Sequence, residues 1–282
     1  MDREPLVFYH AGLGKVASTY LQKSVFPALE NIHYIPRNRF RQHSRIIKAG
    51  EHDRYLISRE CGKYLDRRLK EIHSQYPNAH ILLFFRRHDQ WIASHYRRYV
   101  KNGGHRPLDA YVDIDGDRGV WKRDQLCYMD MIARVEALFQ KPPFVMTYDR
   151  LRADPDDFFL KLANHLGARL NKERLRTAPV HQSYSEPRLI RLRRINERLG
   201  LTDPEYNPGG SPETGAKRHT MHRLRRRMLL YRSYLLLIAA GFYKTRNDHA
   251  DELTPGSAVE SVREYYADDW AALQRYEASQ FT

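Results

Sequence analysis

The chain has 282 residues, 41% hydrophobic and 29% charged, enough to bury a sizeable core as one large domain or two small ones. Its formal net charge is +14 with a pI near 9.7, so its surface is expected to attract anions: phosphorylated cofactors, acidic glycans, nucleic acid or an anionic membrane face. The two cysteines, Cys61 and Cys127, form neither a zinc spacing nor a CxxC, and read as two reduced thiols in a cytosolic protein.

In chain order, Leu6 to Tyr9, Tyr55 to Ser58, Ile81 to Phe85 and Phe144 to Thr147 read as short buried strands. Between them, "ASTYLQKSVFPAL", "HDQWIASHYRRYVKN", "RDQLCYMDMIARVEALF" and "DPDDFFLKLANHLG" have helical periodicity. The last of these has Pro155 near its start, an acidic first turn and Gly167 at its end, as helix termini favour. Strands alternating with helices predict an α/β fold with a mainly parallel central sheet flanked by helices. Ligands of such sheets sit at the carboxyl ends of the strands. The segment "LTDPEYNPGGSPETGAKRHT", residues 201–220, reads as a loop, and residues 1–282 as a single domain.

The near-start sequence "MDREPLVFYH" has no apolar segment of signal-peptide length, which predicts a cytoplasmic protein. The apolar stretch "MLLYRSYLLLIAAGFY", 228–243, is too short to span a membrane and carries Arg232. With the basic run before it, including Arg225 to Arg227, it reads as a core helix with a solvated start. Contact with acidic glycan or the inner membrane face is the alternative.

Two stretches carry chemistry. In "HAGLGKVAST", Gly12 and Gly14 allow tight backbone close to a ligand, Lys15 adds a mobile charge, and Ser18 and Thr19 add hydroxyls at a helix start. Walker loops place Ser or Thr directly after the lysine, whereas here Val16 and Ala17 follow it. Taken alone, the stretch fits a phosphate or sulfate cradle and an ordinary glycine turn equally well. In "LLFFRRHDQWIASHY", an apolar strand ends at Arg86 and Ser94 follows eight residues later on a helix, so an arginine and a hydroxyl can converge on one anion.

Together these two stretches resemble the sulfotransferases that use 3′-phosphoadenosine 5′-phosphosulfate (PAPS). "VMTYDRLRADPDDFFLKLANHLGA", "VREYYADDWAALQRY" and "YLISRE" are similar to segments of bacterial carbohydrate-type members. The resemblance spans most of residues 6–170 and resumes at about 259–275; residues 200–258 have no counterpart. It implies a P-loop-like three-layer fold and sulfuryl transfer without a required metal. A sulfuryl group carries less charge than a phosphoryl group, so a missing magnesium-binding hydroxyl after Lys15 is in keeping.

The resemblance also implies roles. Lys15 would face the bridging oxygen of the leaving 5′-phosphate, with Gly14, Ala17, Ser18 and Thr19 holding that phosphate. Arg86 and Ser94 would hold the 3′-phosphate, and Tyr148 would lie near the adenine. Lys217 and Arg218 are weaker candidates for the same phosphate. Glu60, at a strand end, is the favoured base, and His10 the runner-up. The implied acceptor is a glycan, a glycolipid or another small molecule, with no nucleic-acid partner. The competing functions are a P-loop kinase-like phosphoryl transferase, which lacks its magnesium-binding hydroxyl here, and a non-catalytic polyanion binder.

Overall fold

The computed structural model describes residues 4–175, 184–198 and 252–281. The expected loop at 201–220, the apolar stretch at 228–243, the Arg225 to Arg227 run, Lys217 and Arg218 lie outside the described residues. The chain divides into two compact units. One draws on Met1–Arg87, Cys127–Val180 and Tyr266–Thr282, the other on His88–Leu126 and His181–Tyr265.

The first unit is built on a five-stranded sheet. A separate two-stranded antiparallel pair, β2 (Leu29–Glu30) with β7 (Arg169–Leu170), lies outside that sheet. The sheet's strands are β1 (Leu6–Gly12), β3 (His33–Ile35), β4 (Arg54–Glu60), β5 (His80–Phe85) and β6 (Phe144–Thr147), in the order β3-β4-β1-β5-β6. Every neighbouring pair is parallel. The four expected strands are all present, each as long as expected or longer. Their near-continuous apolar runs suit a parallel sheet buried on both faces. Tyr9, Leu56, Ile57, Leu82 and Met146 are accordingly shielded from solvent. Helices Leu65–Gln75, Tyr128–Phe139, Pro155–Leu166 and Ala267–Ser279 flank the sheet. Because the strands run in one direction, Gly12, Glu60, Arg86 and Tyr148 all fall at its carboxyl edge or just beyond.

The expected helix after the first loop differs from a regular one. Only Ser18–Tyr20 is α-helical; Leu21–Val25 forms a π-turn and Phe26–Ala28 a 3-10 turn. Pro27 explains the change. It has no N–H to donate, and its ring crowds the carbonyl four residues back, so the α-ladder cannot run through it. By contrast, Pro155–Leu166 matches its sequence signals: Asp154 accepts the N–H of Asp157 at 3.0 Å, and Gly167 closes the helix with φ 59°. Helix Tyr128–Phe139 starts later than its periodicity suggests, after a 3-10 turn at Asp124–Leu126. Asp269 caps it, accepting the N–H groups of Tyr128 at 2.8 Å and Met129 at 3.0 Å.

Helix Ala267–Ser279 also fastens the last strand. The buried Glu277 carboxylate accepts from the Thr147 N–H at 2.9 Å, the Thr147 hydroxyl at 3.0 Å and the Arg150 guanidinium at 3.0 Å. Just past the helix, the Gln280 side chain accepts from the Val145 N–H at 3.0 Å and donates to its carbonyl at 3.3 Å. A side-chain amide thus stands where a further strand would pair with β6.

The second unit contains helices His88–Lys101, Leu108–Val112, Glu186–Arg198 and Gly256–Tyr265. Its core is aromatic: Trp91, Tyr96, Tyr111 and Trp121 are all but inaccessible, and the Trp121 indole donates to the Tyr111 hydroxyl at 3.0 Å. Asn196 joins two of its segments by donating to the carbonyls of Val100 at 3.0 Å and Gly104 at 2.9 Å. The former is one of the carbonyls a helix end leaves without an intrahelical partner. Among the described residues of the protein, no helix is long and apolar enough to cross a membrane.

Candidate functional site

The site begins where β1 runs out at Gly12. The next residues leave ordinary backbone space: Gly14, Lys15 and Ala17 have φ of 78°, 61° and 64°. Left-handed backbone is easy for glycine, but for Lys15 and Ala17 it costs on the order of 1 kcal/mol each. Backbone of this kind turns peptide N–H groups into a concavity that suits an anion. Val16 is buried, so at this position the loop offers its amide and sends its side chain to the core. Lys15 is half-buried, Thr19 is exposed, and Ser18 lies almost wholly under the loop.

Parallel pairing sets Gly12 beside Glu60 and His10 beside Ser58, and the two-residue period of strands puts all four on one face. The Cys61 N–H donates to the Gly12 carbonyl at 2.8 Å and continues the pairing past the strand ends. Glu60 therefore lies against the loop. A Cβ built on Gly14 would stand 3.4 Å from Glu60 Oε2 and 3.5 Å from its Cδ. Glycine at 14 gives both the left-handed turn and the close approach of this carboxylate.

His10 is fully buried beneath the loop. Its Nδ1 is 2.8 Å from Ser58 Oγ, and that oxygen accepts from the Gln22 amide at 2.9 Å. Burial lowers the His10 pKa to about 3, so the ring is neutral near pH 7 and a poor proton acceptor. Both cysteines are free, and burial pushes Cys61 up to about 11 and Cys127 up to about 12. Neither is a thiolate nucleophile at neutral pH.

One strand along the same edge from β1, Arg86 follows β5 directly. Its carbonyl accepts from the Tyr128 hydroxyl at 2.9 Å, and its guanidinium carbon stands 4.5 Å from the Tyr148 ring centroid. Tyr148 is the first residue past β6, in the turn that Glu277 braces through Thr147 and Arg150. Thus the tyrosine expected near a purine presents a ring face to Arg86.

No family model matches the chain, and no curated protein sequence matches it. Among solved structures it is similar to a sulfotransferase from Alicyclobacillus acidocaldarius, at 14% identity and a TM-score of 0.47, over 65% of this chain and 86% of that one.

Of the residues singled out from sequence, the first unit contains His10, Gly14, Lys15, Ala17, Ser18, Thr19, Glu60, Arg86 and Tyr148, all on the carboxyl edge of the sheet or the loop rising from it. Ser94 belongs to the second unit, on helix His88–Lys101. Ser58, Gln22, Tyr128 and Glu277 were not singled out. Ser58 had a faint signal, a serine inside an apolar strand two residues before Glu60 and so on its face. Glu277 had none, since its partners lie 127 to 130 residues away in sequence.

Proposed function

We propose that this protein transfers a sulfuryl group from PAPS to a hydroxyl of a carbohydrate, glycolipid or other small acceptor, with an amine as the second choice. The observation that carries this proposal is the loop of Gly14, Lys15 and Ala17, left-handed at the carboxyl end of a parallel strand and closed on one side by a carboxylate. A loop built only to turn the chain has no need of left-handed Lys and Ala. A carboxylate beside an anion cradle weakens anion binding, so its place there calls for another role, and serving the second substrate is one.

The residues present fit the donor. The amides of Gly14 to Thr19 and the hydroxyls of Ser18 and Thr19 suit its 5′-phosphate, and Arg86 suits its 3′-phosphate. Ser94 joins Arg86 in this proposal on sequence spacing alone. When bound, PAPS supplies the activated sulfuryl group. Lys15 donates to the oxygen on which charge builds as the sulfur–oxygen bond breaks. Glu60 takes the proton of the attacking hydroxyl. The main-chain amides fix the phosphate so that attack and departure stay in line.

Calorimetry tests the proposal. The product nucleotide PAP is expected to bind, and Lys15→Ala to weaken it. Binding of ATP with magnesium in the absence of PAP binding would sink the sulfuryl-transfer reading. A screen of radiolabelled PAPS against glycans, glycolipids and phenols then identifies the acceptor.

The Arg86–Tyr148 stack leads to a second test. Tyr148→Leu removes the ring face, an interaction of about 0.5–2 kcal/mol, so the PAP Kd is expected to rise by about 2- to 30-fold. Binding of 5′-AMP, which lacks the 3′-phosphate, is expected to stay unchanged. An equal loss for both nucleotides would instead tie the Tyr148 ring to the adenine they share.

A further inference from the structure

We propose that Gln22, Ser58, His10 and Ser18 form a one-way hydrogen-bond relay beneath the loop, which commits the Ser18 hydroxyl proton to the anion the loop holds. This rests on the anion-binding reading of the loop and makes Gln22, Ser58 and His10 positioning residues.

The inference starts from Ser58. Its hydroxyl accepts the Gln22 amide proton and lies 2.8 Å from His10 Nδ1. A hydroxyl has a single proton, and among the described residues the Ser58 side chain has no other partner. Ser58 is satisfied when it donates to Nδ1, which places the ring proton of neutral His10 on Nε2. Ionisation would put protons on both nitrogens and break the bond from Ser58. Full burial keeps the ring neutral down to about pH 3.

Among the described residues His10 Nε2 has no hydrogen-bond partner, and neither has Ser18 Oγ, although both are buried. Both face Gly12: a Cβ there would stand 3.0 Å from His10 Nε2 and 3.3 Å from Ser18 Oγ. Glycine leaves this space open between two polar atoms, where a methyl group would press on both. Buried polar atoms left without partners are rare in folded proteins and costly, so a pair of them directed at one point calls for an occupant or a closing movement.

An anion in the loop satisfies both. It accepts the Ser18 O–H, and the freed Ser18 lone pairs then accept His10 Nε2–H. Each donor in the series from Gln22 to the anion points the same way, and such chains polarise their members in turn. No proton changes owner. His10 therefore acts as a fixed donor and leaves the acceptor's proton to Glu60.

Nitrogen-resolved NMR of the imidazoles in the full-length wild-type protein tests the first half. His10 is expected as the Nε2–H tautomer, unchanged from about pH 8 to about pH 5, through the range where a free histidine titrates. The Nδ1–H tautomer would overturn the relay whether or not any nucleotide binds. Titration with inorganic phosphate and with PAP tests the second half. Either anion is expected to shift the His10 Nε2 signal, and no shift with either overturns the relay. A shift with phosphate in a protein that does not bind PAP would leave the relay standing and remove the donor assignment.

A double-mutant cycle then separates positioning from simple support. Ser58→Ala and Ser18→Ala are each expected to raise the Kd for whichever anion binds by about tenfold, one charge-assisted bond's worth. The double variant is expected to be no weaker than the weaker single one, with Ser58→Thr near wild type. Multiplying effects would overturn the relay.

Discussion

Replacing Glu60 by Gln is expected to lower kcat by about 10²- to 10⁴-fold, the usual contribution of a positioned proton acceptor, and to leave PAP binding in place. The substitution is nearly isosteric, so the Gly14 approach survives. Only the charge and the basicity are lost. Removing a negative charge beside an anion cradle should also tighten PAP slightly, and the sign of that change is diagnostic. A carboxylate that merely braced the loop would weaken binding when neutralised. Steady-state rates and PAP calorimetry on one preparation decide the matter. Near-normal turnover would take the proton-accepting role from Glu60. His10 is a poor replacement, because its neutral ring is held by Ser58 and buried from the acceptor.

Mild acid is expected to destabilise the protein steeply. His10 is held near pKa 3 and His165 near 4, both through burial, with His80 nearby lowering His165 further. In the unfolded chain each titrates near 6.5. Their neutral forms thus stabilise the fold fully above that value, and the stabilisation is lost as pH falls from about 6.5 toward the folded pKa values. Near pH 5 unfolding takes up about two protons from these two rings, so each pH unit costs about 2–3 kcal/mol. For a chain of this size that corresponds to a fall in Tm of about 3–5 °C between pH 6 and pH 5. Urea midpoints measured across that range check it. His165 stacks on Phe144 at 4.0 Å, so His165→Phe keeps an aromatic there and is expected to halve the slope. A flat profile from pH 6.5 to 5 would refute the buried neutral rings.

The sheet was readable because its strands are uninterrupted apolar runs, and such runs need two covered faces. Glu60 was readable for the same reason, as the polar residue that ends one run. Gly14 announced a turn, but nothing in the sequence marks Lys15 or Ala17 as left-handed. Those conformations persist through the surrounding fold rather than through local preference. The π-turn after Ser18 could have been suspected from Pro27, yet the helical spacing of Leu21 and Val25 masked it. The short strands β2, β3 and β7 have too few residues to show a period. His10 illustrates the deeper limit. Its neutrality comes from the chain that buries it, and the partner of its Nδ1, Ser58, lies 48 residues away. A lone histidine beside a glycine loop looks equally like a base until those neighbours are known.

The amide of Gln280, set against both main-chain groups of Val145, bears on the order in which the protein is made. Strand β6 is complete once residue 147 has been synthesised, but the side chain that occupies its open margin comes 135 residues after Val145. During that interval a growing chain presents an apolar strand with unpaired N–H and C=O groups to any other chain nearby. Deletions that remove Gln280 should therefore be felt first as lost yield of soluble protein, and the finished molecule's activity should suffer less.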